Sequence, residues 1–100
     1  MKTMLYGTYN LQAGNEIDYN MTVEYYLTEE YLCKRYSKIK KYGILINKLC
    51  DNSRETKHIR DIFYRLCDAE EFIDILIRNK VTPITLEDVI KDYISQKVNG

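Results

Sequence analysis

The stretch YNMTVEYYLT, residues 19–28, decides the fold. Tyr19, Met21, Val23, Tyr25 and Leu27 alternate there with Asn20, Thr22, Glu24, Tyr26 and Thr28. A period of two over ten residues, with β-favouring side chains on one face, is the pattern of a half-buried strand. Ala13, Gly14 and Asn15 precede it as a turn cluster, and residues 4–11 before them read as a first strand. Two such stretches joined through a Gly-Asn loop predict an antiparallel hairpin. Downstream, residues 40–49 (KKYGILINKL) read as a third strand with Tyr42, Ile44 and Ile46 on one face. Gly43 inside it marks a bulge or a close approach of backbone. Residues 29–39 mix Glu, Lys, Arg, Tyr and Ser and read as a turn or loose hairpin tip. Asp51, Asn52 and Ser53 then supply turn chemistry at the end of the third strand.

The last third of the chain has a helical period instead. Thr85 and Asp88 form a capping-box-like pair, and Ile84 and Val89 stand where a hydrophobic staple closes. Leu86, Val89, Ile90, Tyr93 and Ile94 make one stripe, and Glu87, Asp88, Lys91, Asp92, Ser95 and Gln96 fill the other face. This predicts a helix over 85–97. Asp68 and Glu71 repeat the cap pattern, and Ala69, Phe72, Ile73 and Leu76, widened by Ile75 and Ile77, predict a helix over 68–79. Arg78, Asn79 and Lys80 stop it with cations at the negative end of the dipole. Pro83 disfavours helix at Thr82 and marks the connector. Residues 55–67 fit either form. Ile59, Ile62, Phe63 and Leu66 have helical spacing, which tilts periodicity slightly towards helix, while the alternation from Lys57 to Leu66 is poor.

Composition bounds the rest. One hundred residues and 11.9 kDa make one domain, and 45% hydrophobic with 30% charged residues is a globular balance that excludes disorder. The 15 basic and 15 acidic residues cancel, which removes bulk attraction to nucleic acid or to an anionic membrane. The apolar character of Met1, Met4 and Leu5 breaks at Gly7 and Thr8, too early for a signal peptide. The longest aliphatic runs, at Ile44, Leu45 and Ile46 and at Ile75, Leu76 and Ile77, fall far short of the roughly 20 residues of a spanning helix. The expectation is a cytoplasmic protein with no membrane contact. Cys33, Cys50 and Cys67, an odd number, are then reduced thiols.

The segment around Tyr25, Tyr26 and Leu27, the start of the third strand at Tyr42, Gly43 and Ile44, and above all residues 81–94 (VTPITLEDVIKDYI) carry a family resemblance. The chain resembles a family of short uncharacterised proteins from clostridia and related Firmicutes, over most of its length, with residues 81–94 the specific part. The resemblance implies a strand near residues 56–62 followed by the two helices. It implies no activity, cofactor or catalytic residue.

Chemistry-bearing residues are sparse. Cys33, Cys50, His58 and Cys67 are zinc-ligand types, but zinc sites draw ligands in close pairs such as C-x₂₋₄-C, and these four are spread singly. A cysteine nucleophile needs a base, and nothing in the sequence brings His58 to a thiol. The carboxylate pairs Glu70–Glu71 and Glu87–Asp88 lie in first turns of predicted helices, where they stabilise the dipole. No glycine-rich phosphate loop is present. The expectation is no enzyme, no cofactor and no metal. The most distinctive charge feature is residues 34–48, where Lys34, Arg35, Lys38, Lys40, Lys41 and Lys48 occur without an anion and are interleaved with Tyr36 and Tyr42. Basic and aromatic side chains on a sheet can hold a single nucleic-acid strand by phosphate contact and stacking. A solvated loop with a lysine-protected strand edge is the favoured account, because alternation splits Lys40 and Lys41 onto opposite faces and acidic residues elsewhere cancel the field.

The reading is therefore α+β: a three- to four-stranded antiparallel meander over residues 3–62 with two C-terminal helices packed on one face. The function expected is a small non-enzymatic interaction or regulatory protein, with a protein partner or a second copy as its ligand. The alternative is weak single-stranded nucleic-acid binding through residues 34–48. The candidate surface comprises Tyr26, Lys34, Arg35, Tyr36, Lys38, Lys40, Lys41 and Tyr42.

Overall fold

A computed structural model describes residues 1–11, 14, 20–35, 37–51 and 53–99, except the side chains of Lys34, Lys97, Val98 and Asn99. Four antiparallel strands, β1 (Lys2–Leu11), β2 (Met21–Lys34), β3 (Ser37–Cys50) and β4 (Ser53–Phe63), form one sheet in the order β1-β2-β3-β4. Two helices follow, α1 (Leu66–Arg78) and α2 (Leu86–Asn99). The meander with two C-terminal helices is the expected α+β arrangement. The expected Gly-Asn loop and Tyr19 involve positions outside the described residues.

The alternation in β2 does what its period requires. Val23, Tyr25 and Leu27 are fully buried, as are Ile44 and Ile46 opposite them on β3. Ala69, Phe72, Ile73 and Leu76 of α1 and Leu86 and Ile90 of α2 close over this face. Full burial of each large aliphatic or aromatic side chain contributes about 1.5–3 kcal/mol against its exposed state. Phe63, Phe72 and Tyr93 pack as an aromatic cluster, with the Phe72 and Tyr93 centroids 4.7 Å apart.

Gly43 is where backbone comes close. A β-carbon there would stand 2.5 Å from the Ile59 carbonyl oxygen and 2.7 Å from Thr28 Oγ1. The cause is an irregularity in β4: Ile59 pairs with Ile44 and Phe63 with Tyr42, so three residues of β4 face the single Gly43. Asp61 within that bulge takes φ 58°. The bulge also corrects the reading of 55–67, which form strand up to Phe63. Pairing with Ile44 and Tyr42 puts Ile59 and Phe63 on the core face, and the bulge between them turns Ile62 inward as well, so all three pack against the core. Their helical spacing is thus the imprint of a bulge, and the strand implied by the family resemblance is present.

Residues 29–34 and 37–39 are not a loose tip. The β2–β3 ladder continues through Glu29↔Tyr42, Glu30↔Lys41, Tyr31↔Lys40, Leu32↔Ile39 and Cys33↔Lys38. Opposite charges across the strands, with Lys40 Nζ 2.8 Å from Glu29 Oε1, keep a polar segment paired. β1 ends its pairing at Lys2↔Glu29 and β4 at Phe63↔Tyr42, so residues 30–34 and 37–41 project as a two-stranded ribbon. The projection accounts for a radius of gyration of 15.3 Å, against roughly 13 Å for a compact chain of this length.

The helix ends differ in detail from expectation. α1 starts at Leu66, two residues early, with Arg65 at the N-cap and no side-chain cap bond. It stops as expected after Arg78: Lys80 takes φ 53°, its N–H donates to the Ile77 carbonyl, and the Val81 N–H donates to the Leu76 carbonyl. This is a Schellman closure with Leu76 and Val81 both buried beneath it. At α2, the Thr85 hydroxyl donates to the Thr82 carbonyl at 3.3 Å. Ile84 is 72% exposed, so it does not staple the helix start.

Candidate functional site

Both helices lie on the face of Tyr25 and Ile44, and among the described residues no second layer covers the other face of the sheet. Strand register assembles that face in rows. Leu5 of β1 stands opposite Tyr26 of β2, Tyr26 opposite Leu45 of β3, and Leu45 opposite His58 of β4. Leu5 is 55% exposed, and Tyr26 and Leu45 are half-buried. The next row, Thr8, Glu24, Asn47 and Thr56, is polar, with the Thr56 hydroxyl donating to Asn47 Oδ1 at 2.6 Å. Beyond it, Asn10, Thr22, Leu49 and Arg54 line up, with Thr22 Oγ1 donating to Asn10 Oδ1 at 2.8 Å. The Tyr26 hydroxyl is held above its usual pKa by partial burial and by the neighbouring Glu24 carboxylate.

Thr28 is fully buried on this face because Gly43 beside it has no side chain and the His58 ring reaches it. His58 Nε2 lies 3.2 Å from Thr28 Oγ1. Burial, helped by the Arg60 guanidinium, holds the imidazole below its usual pKa and therefore neutral. Arg60 makes a two-pronged contact to Glu30, its Nε donating to Oε1 at 2.7 Å.

The ribbon presents its cations on two faces. Lys40 is opposite Tyr31 and Lys41 opposite Glu30, so the two lysines point to opposite sides. Lys40 lies 5.4 Å from the Tyr31 ring centroid, and its hydrogen bond to Glu29 holds its pKa above the ordinary lysine value. Lys41 lies 5.3 Å from the Tyr64 ring centroid. Arg35 and Lys38 are exposed at the ribbon end. The backbone of Lys34 pairs with Ser37, and Tyr36 lies outside the described residues.

Of the sequence-predicted surface, Tyr26 is on the helix-free face, while Tyr42 is only 7% exposed and belongs to the core. The strand period puts Tyr42 in phase with Ile44, and the helices cover both. The structure also separates the zinc-type residues. Cys33 is opposite Lys38 near the ribbon end, and Cys50 is at the far end of β3, on the order of 40 Å away along the strand. Cys67 opens α1 on the helix side, whereas His58 is on the opposite face. Sequence reasoning missed Leu5, Leu45 and Arg60. Their only signal is register, which joins residues far apart in the chain.

No helix among the described residues is long and apolar enough to cross a membrane. No curated protein and no solved structure matches the chain. Residues 4–96, from the first strand through most of the last helix, match one family, and on that match the chain belongs to the family of unknown function DUF6514.

Proposed function

We propose that this chain is a small non-enzymatic interaction module that docks a protein partner on the helix-free face of its sheet. The observation that carries the reading is the apolar row of Leu5, Tyr26 and Leu45 crossing three strands on a face that neither helix covers. Polar rows flank it, which is the anatomy of an interface core with a polar rim. Its residues contribute little to the monomer core, so they are free to serve a partner. A cytoplasmic setting belongs to this reading, because the free thiols of Cys33, Cys50 and Cys67 suit a reducing compartment. So does the clostridial or related Firmicute origin suggested by residues 81–94.

The test is affinity capture from the native cell with wild type, Leu5→Glu, Leu45→Glu and, on the solvent face of α2, Lys91→Glu. The expected result is a partner retained by wild type and Lys91→Glu and lost from both leucine variants, with all four proteins folded by circular dichroism. Equal capture by all four would refute the docking face.

The ribbon favours a second reading, weak single-stranded nucleic-acid binding. Tyr31, 60% exposed, and Lys38 share one face of it and could stack a base and meet a phosphate. Against this, Lys40 is already committed to Glu29. Fluorescence anisotropy with labelled single strands distinguishes the readings: binding that falls steeply with salt supports the second, and a flat signal at low salt eliminates it.

A further inference from the structure

Among the described residues the two outer strands, β1 and β4, have unpaired edges, and these differ. β1 is interrupted at Tyr6, between Leu5 and Gly7, and a bulge of this kind turns an edge away from further pairing. β4 pairs with β3 without a shift from Ser53 to Ile59, so its outer side is a regular seven-residue edge. Beside it on the helix side is an open groove of about 350 Å³ lined by Glu55, Thr56, Lys57, Pro83, Ile84 and Glu87. Ile84 is 72% exposed there.

We propose that the β4 edge pairs antiparallel with the β4 edge of a second copy of this chain, about a two-fold axis at Thr56. The result is a continuous eight-stranded sheet with both helix layers on the same side. Charge complementarity selects both occupant and register. With Thr56 on the axis, Glu55 of each copy stands opposite Lys57 of the other, giving two opposite-charge pairs on the helix side. On the other face Arg54 meets His58 of the second copy, which is neutral. Moving the axis one residue puts Glu55 against Glu55 or Lys57 against Lys57, and placing it between residues brings opposite faces of the strands together. Edges are commonly protected by like charges; this one carries Arg54, Glu55 and Lys57 in an order that is self-complementary in one register. Lys57 Nζ is 2.6 Å from Glu87 Oε1, and its side chain is 39% exposed, so the ammonium has room for a second carboxylate. Thr56 itself lines the groove, so an axis there brings the grooves of the two copies side by side.

A seven-residue edge buries less than the roughly 800 Å² per partner of a standard interface, so the pairing is a weak, reversible one. Sedimentation velocity of the full chain over a concentration series should give a monomer–dimer equilibrium. Glu55→Lys and Lys57→Glu each convert both attractive pairs to repulsive ones and should weaken self-association at least about tenfold. Mixed in equal amounts, the two variants regain both opposite-charge pairs and should form a heterodimer within about threefold of the wild-type affinity. Circular dichroism and thermal midpoints report whether each variant stays folded. A wild type that is monomeric at the highest concentration, single variants that dimerise like wild type, or a mixture that stays monomeric would each overturn the proposal. Leu45→Glu, on the helix-free face, should dimerise normally, so this inference and the docking face fail separately.

Discussion

The Tyr25 hydroxyl donates to the Val81 carbonyl at 2.9 Å, a buried bond linking the centre of the sheet to the chain just past α1. It fixes where the connector crosses the core, at the residue whose N–H completes the Schellman closure of α1. Tyr25→Phe keeps the ring and strands the carbonyl. The expected loss is about 1–3 kcal/mol of unfolding free energy, measured by urea denaturation. Burial, with a contribution from Tyr9, pushes the Tyr25 pKa up to about 12 from 10.0. The neutral phenol is thus favoured in the folded state. Its stabilisation is complete below pH 10 and is lost as pH rises from 10 towards 12. The alkaline fall in stability should be shallower in Tyr25→Phe than in wild type.

Gly43 and Gly7 make a matched pair. A β-carbon at Gly43 meets backbone, the Ile59 carbonyl oxygen at 2.5 Å, whereas at Gly7 it meets the end of a side chain, Ile77 Cδ1, at 2.8 Å. Backbone in a bulge cannot retreat, while an isoleucine tip can rotate. Gly43→Ala should cost about 1–3 kcal/mol or more and Gly7→Ala clearly less, read as denaturation midpoints with unchanged slope. The reverse order would mean that the β4 bulge is the softer of the two sites.

His58 gives an acid-side signature. Its pKa is lowered from 6.5 by burial first and by Arg60 second, so the folded state favours neutral imidazole. That stabilisation is complete well above pH 6.5 and is lost as pH falls below it, where the unfolded chain gains the proton first. Unfolding free energy should therefore drop between pH 7.5 and pH 5. His58→Gln should flatten the part of the drop that belongs to this residue. An NMR titration placing the ring at or above 6.5 would contradict the burial of the Thr28 contact.

Phe72 is fully buried and touches both Phe63 and Tyr93, at centroid separations of 5.5 and 4.7 Å. Phe72→Ala removes the α1 ring that packs against both Phe63 of β4 and Tyr93 of α2. It should cost about 3–5 kcal/mol, enough to threaten folding of a domain this small. Phe72→Leu, which keeps most of the volume, should cost clearly less. Thermal unfolding followed at 222 nm separates the two.

Legibility varied with the range of the cause. The strand through Met21–Leu27, the burial of Phe72, Ile73 and Leu76, and the stop at Lys80 are local periodicity and local dihedral chemistry, and each can be read along the chain. The helical spacing of Ile59, Ile62 and Phe63 misleads because a bulge mimics a change of period, and only pairing with β3 separates the two. Residues 29–39 look like a loop because their charges carry no apolar alternation, yet Glu29 and Lys40 satisfy each other once the strands are side by side.

By itself the sequence determined that this chain is a sheet followed by helices, since periods of two and of three to four are properties of backbone geometry and need no knowledge of the partner surface. Only the tertiary structure decided which residues share a surface. Leu5, Tyr26 and Leu45 form one row, Tyr42 is covered, and the β4 edge carries Glu55 and Lys57 as far as Ile59 before it breaks. Register sets these relations by pairing residues far apart in the chain. A shift of one residue would send every side chain to the other face, and no local pattern records which shift is taken.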